Sequence, residues 1–158
     1  MRISYHKVLP ESYETLLHMS NTAHDSGLEP ALQELVRIRA SQINGCAFCL
    51  DMHTKDARAG GETEQRLNLL AAWRESPGYT ERERAALAWC EAVTLIAETS
   101  APDDVYEEVR RHFDERETVA LTLVVISING WNRMLRSMRT PAGDYVSRIA
   151  PAAGAASR

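Results

Sequence analysis

A chain of 158 residues, 44% hydrophobic and 25% charged, has the size and balance of one globular domain with its own core. Its formal net charge of -4 is spread over interspersed acids and bases, so no basic face stands out to neutralise a run of phosphates, and nucleic acid is not an expected partner. Residues Met1 to Pro10 lack the continuous apolar stretch of a signal peptide or spanning helix, and three cysteines are too few for a disulfide scaffold; the expectation is a cytoplasmic protein, away from membranes, in which a close cysteine pair is catalytic or metal-binding.

The pattern along the chain is helical throughout. Pro10 opens a segment, Glu11 to His24, that Gly27 follows as a stop signal. From Pro30, the positions Leu32, Leu35, Val36, Ala40 and Ile43 recur at the three-four spacing of one buried stripe, until Asn44-Gly45 breaks it. A third helix, from about Cys46 to Ala59, is closed by Gly60-Gly61. Glu64 to Trp73 forms a short fourth helix, and Ser76-Pro77-Gly78-Tyr79 reads as a turn. Thr80 with Glu83 makes a capping box for a fifth helix running to Ile96, Pro102 starts a shorter segment ending near Phe113, and Asp114 with Glu117 caps a long final helix. Within that helix, Val119 to Ile128 is β-rich in composition, yet the cap before it, the arginines after it and the lack of any partner strand favour a helix placed centrally or at a subunit interface. One all-α domain is expected over residues 1–140, with a small, unpatterned and mobile tail over 141–158.

Chemistry concentrates at the start of the third helix. Cys46, Cys49 and His53 are three and four residues apart, so they line one helical face. A thiol in a helix's first turn sits near unpaired N–H groups and the positive end of the dipole, which favour thiolate, and His53 suits proton exchange with that thiol near neutral pH. Glu34 lies in the preceding helix, which the tight Ile43-Asn44-Gly45 connection folds back against the third; it either completes a proton relay or pairs on the surface with Arg37 or Arg39. Zinc held by Cys46, Cys49, His53 and Glu34 is the competing reading, disfavoured because structural zinc draws separated ligand pairs from loops. No cofactor is expected. Cys90 reads as an inert core thiol, and His6, His18, His24 and His112 as exposed and partnerless.

The run from Glu34 to His53, with its twelve-residue step to Cys46, its C-x-x-C pair and its histidine four residues on, resembles the AhpD-like alkylhydroperoxidase, or carboxymuconolactone decarboxylase, family. The likeness continues through Trp73 to Pro77 and Thr80 to Leu87, covering roughly residues 10 to 135. It implies an all-α fold assembled as a homo-oligomer, commonly a trimer or hexamer, that reduces organic hydroperoxides and hydrogen peroxide. By the same resemblance Cys49 attacks the peroxide, Cys46 resolves the sulfenic acid as a disulfide, Glu34 and His53 form the proton relay through a water, and an external dithiol, lipoyl-bearing or thioredoxin-like, recycles the pair. The best-known peroxidase members carry a second histidine directly before the second cysteine; here Phe48 stands there, which either removes part of their relay or shapes an apolar entrance. A protein disulfide reductase is the runner-up, and a lactone decarboxylase, which does not rely on a C-x-x-C pair, a third.

Overall fold

The computed structural model describes residues 1–149. The described residues contain helices and no strand: α1 (Tyr5–Val8), α2 (Pro10–His24), α3 (Pro30–Asn44), α4 (Ala47–Ala59), α5 (Glu64–Leu69) followed by a 3₁₀ turn at Leu70–Ala72, α6 (Glu81–Thr94), α7 (Ile96–Thr99), α8 (Asp103–His112) and α9 (Glu115–Ser137). The all-α class expected from the sequence is the class observed. Both capping boxes form, with Thr80 and Asp114 each accepting from the backbone three residues on and Glu83 and Glu117 each returning the bond.

Three local departures have local causes. Tyr5–Val8 adds a short helix ahead of α2 where periodicity gives no signal. The helix expected from Glu64 to Trp73 is α5, which tightens to 3₁₀ over its last turn, as helix ends commonly do. The helix expected to run from Thr80 to Ile96 breaks at Leu95 (φ -101, ψ 32), ending α6, and restarts for one turn as α7, which Ser100 and Ala101 end in left-handed backbone (φ 55 and 48).

The ambiguous segment 119–128 is helical and lies inside α9, the helix on which α2, α3 and α6 all pack. Leu121, Val124, Val125 and Ile128 are buried, whereas Val119 and Ile126 face outward at 69% and 48% exposure. By length and composition α9 is apolar enough to cross a membrane; here it is the central helix of the bundle.

A buried amide network fixes α9 against α3. Asn44 donates to Asn129 Oδ1 and Asn132 Oδ1, both at 2.9 Å, Asn132 donates to Ser41 Oγ at 3.0 Å, and Asn129 donates to Thr94 Oγ1 of α6 at 2.9 Å. Asn129 and Asn132 are buried and Asn44 half-buried, so these bonds favour one register between the helices, because a slip leaves a buried polar group without a bond. Immediately after this anchor, Gly45 takes φ 64; its N–H donates to Gln42 O at 3.2 Å and that of Cys46 to Ser41 O at 3.0 Å. These two bonds close α3 with a left-handed Schellman turn and send α4 back along α3.

Beyond α9, the described part of the C-terminal segment, 141–149, is not helical and bonds to α4: Lys55 Nζ donates to Gly143 O (3.2 Å) and Tyr145 O (2.8 Å), and Gly143 N–H donates to Asp51 Oδ2 (3.1 Å). The rest of the tail expected to be mobile, 150–158, lies outside the described residues.

A Cβ at position 45 would be forced into positive φ and would meet Arg136 Nη1 at 3.3 Å. Gly45→Ala is therefore expected to lower stability by about 1–2 kcal/mol, read as a fall in the urea midpoint at unchanged slope.

Candidate active site

The Gly45 turn makes Cys46 the N-cap of α4, where its sulfur accepts from the Cys49 N–H at 3.4 Å. Cys49 is thus in the first turn, under the free N–H groups and positive dipole end of the helix. The two cysteines are joined as a disulfide, and both are buried, at 2% and 1% exposure.

One turn on, His53 Nδ1 lies 2.8 Å from Glu34 Oε2, the pairing that the antiparallel return of α4 makes possible. Arg37 donates to the other Glu34 oxygen at 2.6 Å and to Gln33 Oε1 at 2.7 Å; Gln33 in turn donates to Leu28 O at 3.0 Å. Glu34 thus faces inward to His53 and also pairs with Arg37, and that pairing is largely buried rather than on the surface. Burial works against the carboxylate, but the His53 and Arg37 charges and hydrogen bonds outweigh it and hold Glu34 below the usual carboxylate range. An ionised Glu34 has no proton to give, so Nδ1 carries it, and in the neutral ring Nε2 is left as the free acceptor.

Cys49, His53 and Asp56 follow one another at four- and three-residue steps, so the stripe extends one turn further than the sequence reading took it. The Tyr145 hydroxyl donates to the Asp56 carboxylate, 2.9 Å from each oxygen. Burial, reinforced by that carboxylate, pushes the Tyr145 phenol up to about 12 and keeps it a donor. Asp56 was findable from helical spacing; Tyr145, in an unpatterned segment, carried no sequence signal.

Glu34, His53 and Asp56 each offer a ligand atom within 4.8 Å of the others. Glu34 is engaged by Arg37 and His53 Nδ1 and Asp56 by the Tyr145 hydroxyl, while His53 Nε2 has no protein partner among the described residues. In the alternative zinc set, two of the four ligands, Cys46 and Cys49, are bonded to each other.

These groups form the polar wall of a cavity of about 580 Å³. Its other walls are largely apolar and aromatic, with Tyr5, Tyr13, Phe48, Met52, Ile128 and Trp131 among them. Cys49 lines the cavity and Cys46 does not. Phe48 is part of the wall, half-buried against the core. His6 and His24, read as partnerless, are exposed but sit on the cavity rim, and His112 is corrected: it is half-buried, with Nε2 3.1 Å from Glu108. Cys90 is fully buried, within 3.4 Å of Val36 O, and burial pushes its thiol up to about 12.

A bundle whose first-turn dithiol backs onto a cavity beside a Glu–His pair defines a helical dithiol protein of the AhpD type. The chain belongs to the carboxymuconolactone decarboxylase family, whose model matches residues 10–92. It is 45% identical over 143 residues to the uncharacterized protein YdfG of Bacillus subtilis, covering 90% of this chain and 97% of that one. Among solved structures it is similar to a protein of unknown function from Agrobacterium tumefaciens proposed as an antioxidant defence protein AhpD, with 48% identity, a TM-score of 0.88, and 91% and 99% of the two chains covered. The debrominase Bmp8 shares the fold at 18% identity and a TM-score of 0.74, over 85% of this chain and 73% of that one.

Two outcomes follow. In the reduced protein, Cys90 is expected to resist iodoacetamide until denaturant is added, while Cys49, which lines the cavity, reacts natively; mass mapping of the alkylated peptides reads this directly. Because Glu34 has a folded pKa below its ordinary 4.5, its stabilisation is complete above that pH and is lost as pH falls through the folded value. Glu34→Gln should therefore cost on the order of 1–3 kcal/mol at pH 7 in urea unfolding, and the gap to the parent should narrow at pH 4 and below.

Proposed function

We propose that this chain is a thiol peroxidase that reduces alkyl hydroperoxides or hydrogen peroxide through Cys46 and Cys49. The observation that carries the reading is that Cys49, rather than Cys46, opens on the cavity, one turn from a histidine already oriented by a buried carboxylate.

In the reduced enzyme His53 Nε2 takes the Cys49 proton, through a water where the gap requires one, while Glu34 stabilises the imidazolium that forms. The thiolate attacks one peroxide oxygen, the O–O bond breaks, and the leaving alkoxide takes the proton back as an alcohol, leaving a Cys49 sulfenic acid. Cys46 then attacks Cys49 Sγ, water leaves, and the disulfide forms, so that one hydroperoxide and two thiols give one alcohol, one water and one disulfide. Two electrons from an external dithiol close the cycle.

Near-complete burial of both cysteines favours a slender lipoyl arm over the broad face of a thioredoxin-like protein as that dithiol. The same burial weighs against a protein disulfide as direct substrate. A homo-oligomer, trimeric or hexameric, and a cytoplasmic location complete the proposal. The fold shared with a debrominase raises a second reading that the aromatic cavity favours, in which the dithiol reduces a carbon–halogen bond to C–H and halide and again ends as a disulfide.

Cys49→Ser is expected to abolish peroxide turnover, while Cys46→Ser should stop at a Cys49 sulfenic acid trapped by dimedone. Intact mass and peptide mapping after one equivalent of cumene hydroperoxide read both variants and the two-hydrogen loss of the parent. Full turnover in either variant sinks the mechanism.

A further inference from the structure

The cavity is not closed by the helical bundle alone. Residues 141–149 follow α9 and run across α4, placing Tyr145, Arg148 and Ile149 in the cavity wall. The segment is tied to α4 at three residues of that helix. Gly143 N–H bonds to Asp51, Lys55 bonds to two carbonyls of the strap while pairing with Asp51 at 2.8 Å, and Asp56 holds the Tyr145 hydroxyl. Positive φ at Gly143 (115) turns the chain at the first of these ties. At the root of the strap Thr140 lines the same cavity, and its buried hydroxyl is the one buried side-chain polar atom without a partner among the described residues. An orphaned hydroxyl at a cavity wall is what a ligand oxygen or a water would satisfy.

We propose that this C-terminal strap is the specificity wall of the substrate pocket, latched by Tyr145 on Asp56 and by Lys55, and that it selects ligands carrying a bulky apolar group beside the reacting oxygen. Hydrogen peroxide offers no apolar group to the strap, whereas an aryl-alkyl hydroperoxide carries a ring that the apolar lining, Tyr145 and Ile149 included, can bury. The strap acts on binding, not on the chemical step, which belongs to Cys49, His53 and Glu34. The identity of the ligand rests on the peroxidase reading, but the wall can be tested without turnover.

The probe is cumyl alcohol, the product of cumene hydroperoxide, titrated calorimetrically into the full-length oxidised protein. Tyr145→Ala removes the ring and the latch together. Lys55→Met loosens the strap from outside, since Lys55 does not line the cavity. Neither residue belongs to the buried core clusters. The parent is expected to bind the alcohol, and both variants to bind it about five- to tenfold more weakly. In turnover, both variants should lower the ratio of kcat/KM for cumene hydroperoxide to that for hydrogen peroxide, mainly through KM for the bulky substrate. Failure of the parent to bind the alcohol, an effect confined to Tyr145→Ala, or equal losses with both peroxides would overturn the proposal. If the parent binds the alcohol and the variants weaken it while no peroxide is consumed, the wall stands and the peroxidase reading fails.

Discussion

The left-handed turn at Gly45 joins two helices in the fewest residues that let the second run back along the first. Everything at the dithiol depends on it. The turn puts Cys46 at the N-cap of α4 and Cys49 in its first turn, and it brings His53 level with Glu34, nineteen residues earlier, at 2.8 Å. Its angle is held from the far side by the amide network between Asn44, Asn129 and Asn132 and by a hydrogen bond from Arg136 to Asn44 O. A glycine in left-handed conformation and three satisfied amides thus transmit the packing of α3 on α9 into the placement of a sulfur.

Electrostatics then divides the work on either side of His53. On one side Glu34 is buried, yet ionised, because Arg37 and the imidazole both compensate it; a buried carboxylate without such partners would take up a proton and lose its hold on Nδ1. On the other side Asp56 is partly open and occupied by a phenol that stays protonated. The two carboxylates near His53 thus have different partners, cationic Arg37 for Glu34 and a neutral phenol for Asp56.

The family's fold hosts more than one chemistry, as the shared architecture of a debrominase indicates, so the helical bundle by itself does not decide a reaction. What narrows the reaction here is local: a dithiol at a helix N-terminus, only one of whose sulfurs meets a cavity, with an aromatic side and a strap around it.

Apart from the short α1, which carries no periodic signal, the chain's pattern alone determined the main helices, both capping boxes and the placement of Cys46, Cys49 and His53 along one helical face. Each of these is a local property, set by three-four spacing, by capping chemistry or by a glycine stop, and needs no knowledge of distant residues. The β-rich run 119–128 was decidable only because its caps outweighed its composition. Whether Glu34 faced inward, which cysteine met the cavity, that Arg37 shares the carboxylate, and that Tyr145 closes on Asp56 were decided by the tertiary structure. Those facts join residues up to ninety positions apart, and an exposed, unpatterned stretch such as 141–149 shows no periodicity until α4 is there to receive its hydrogen bonds.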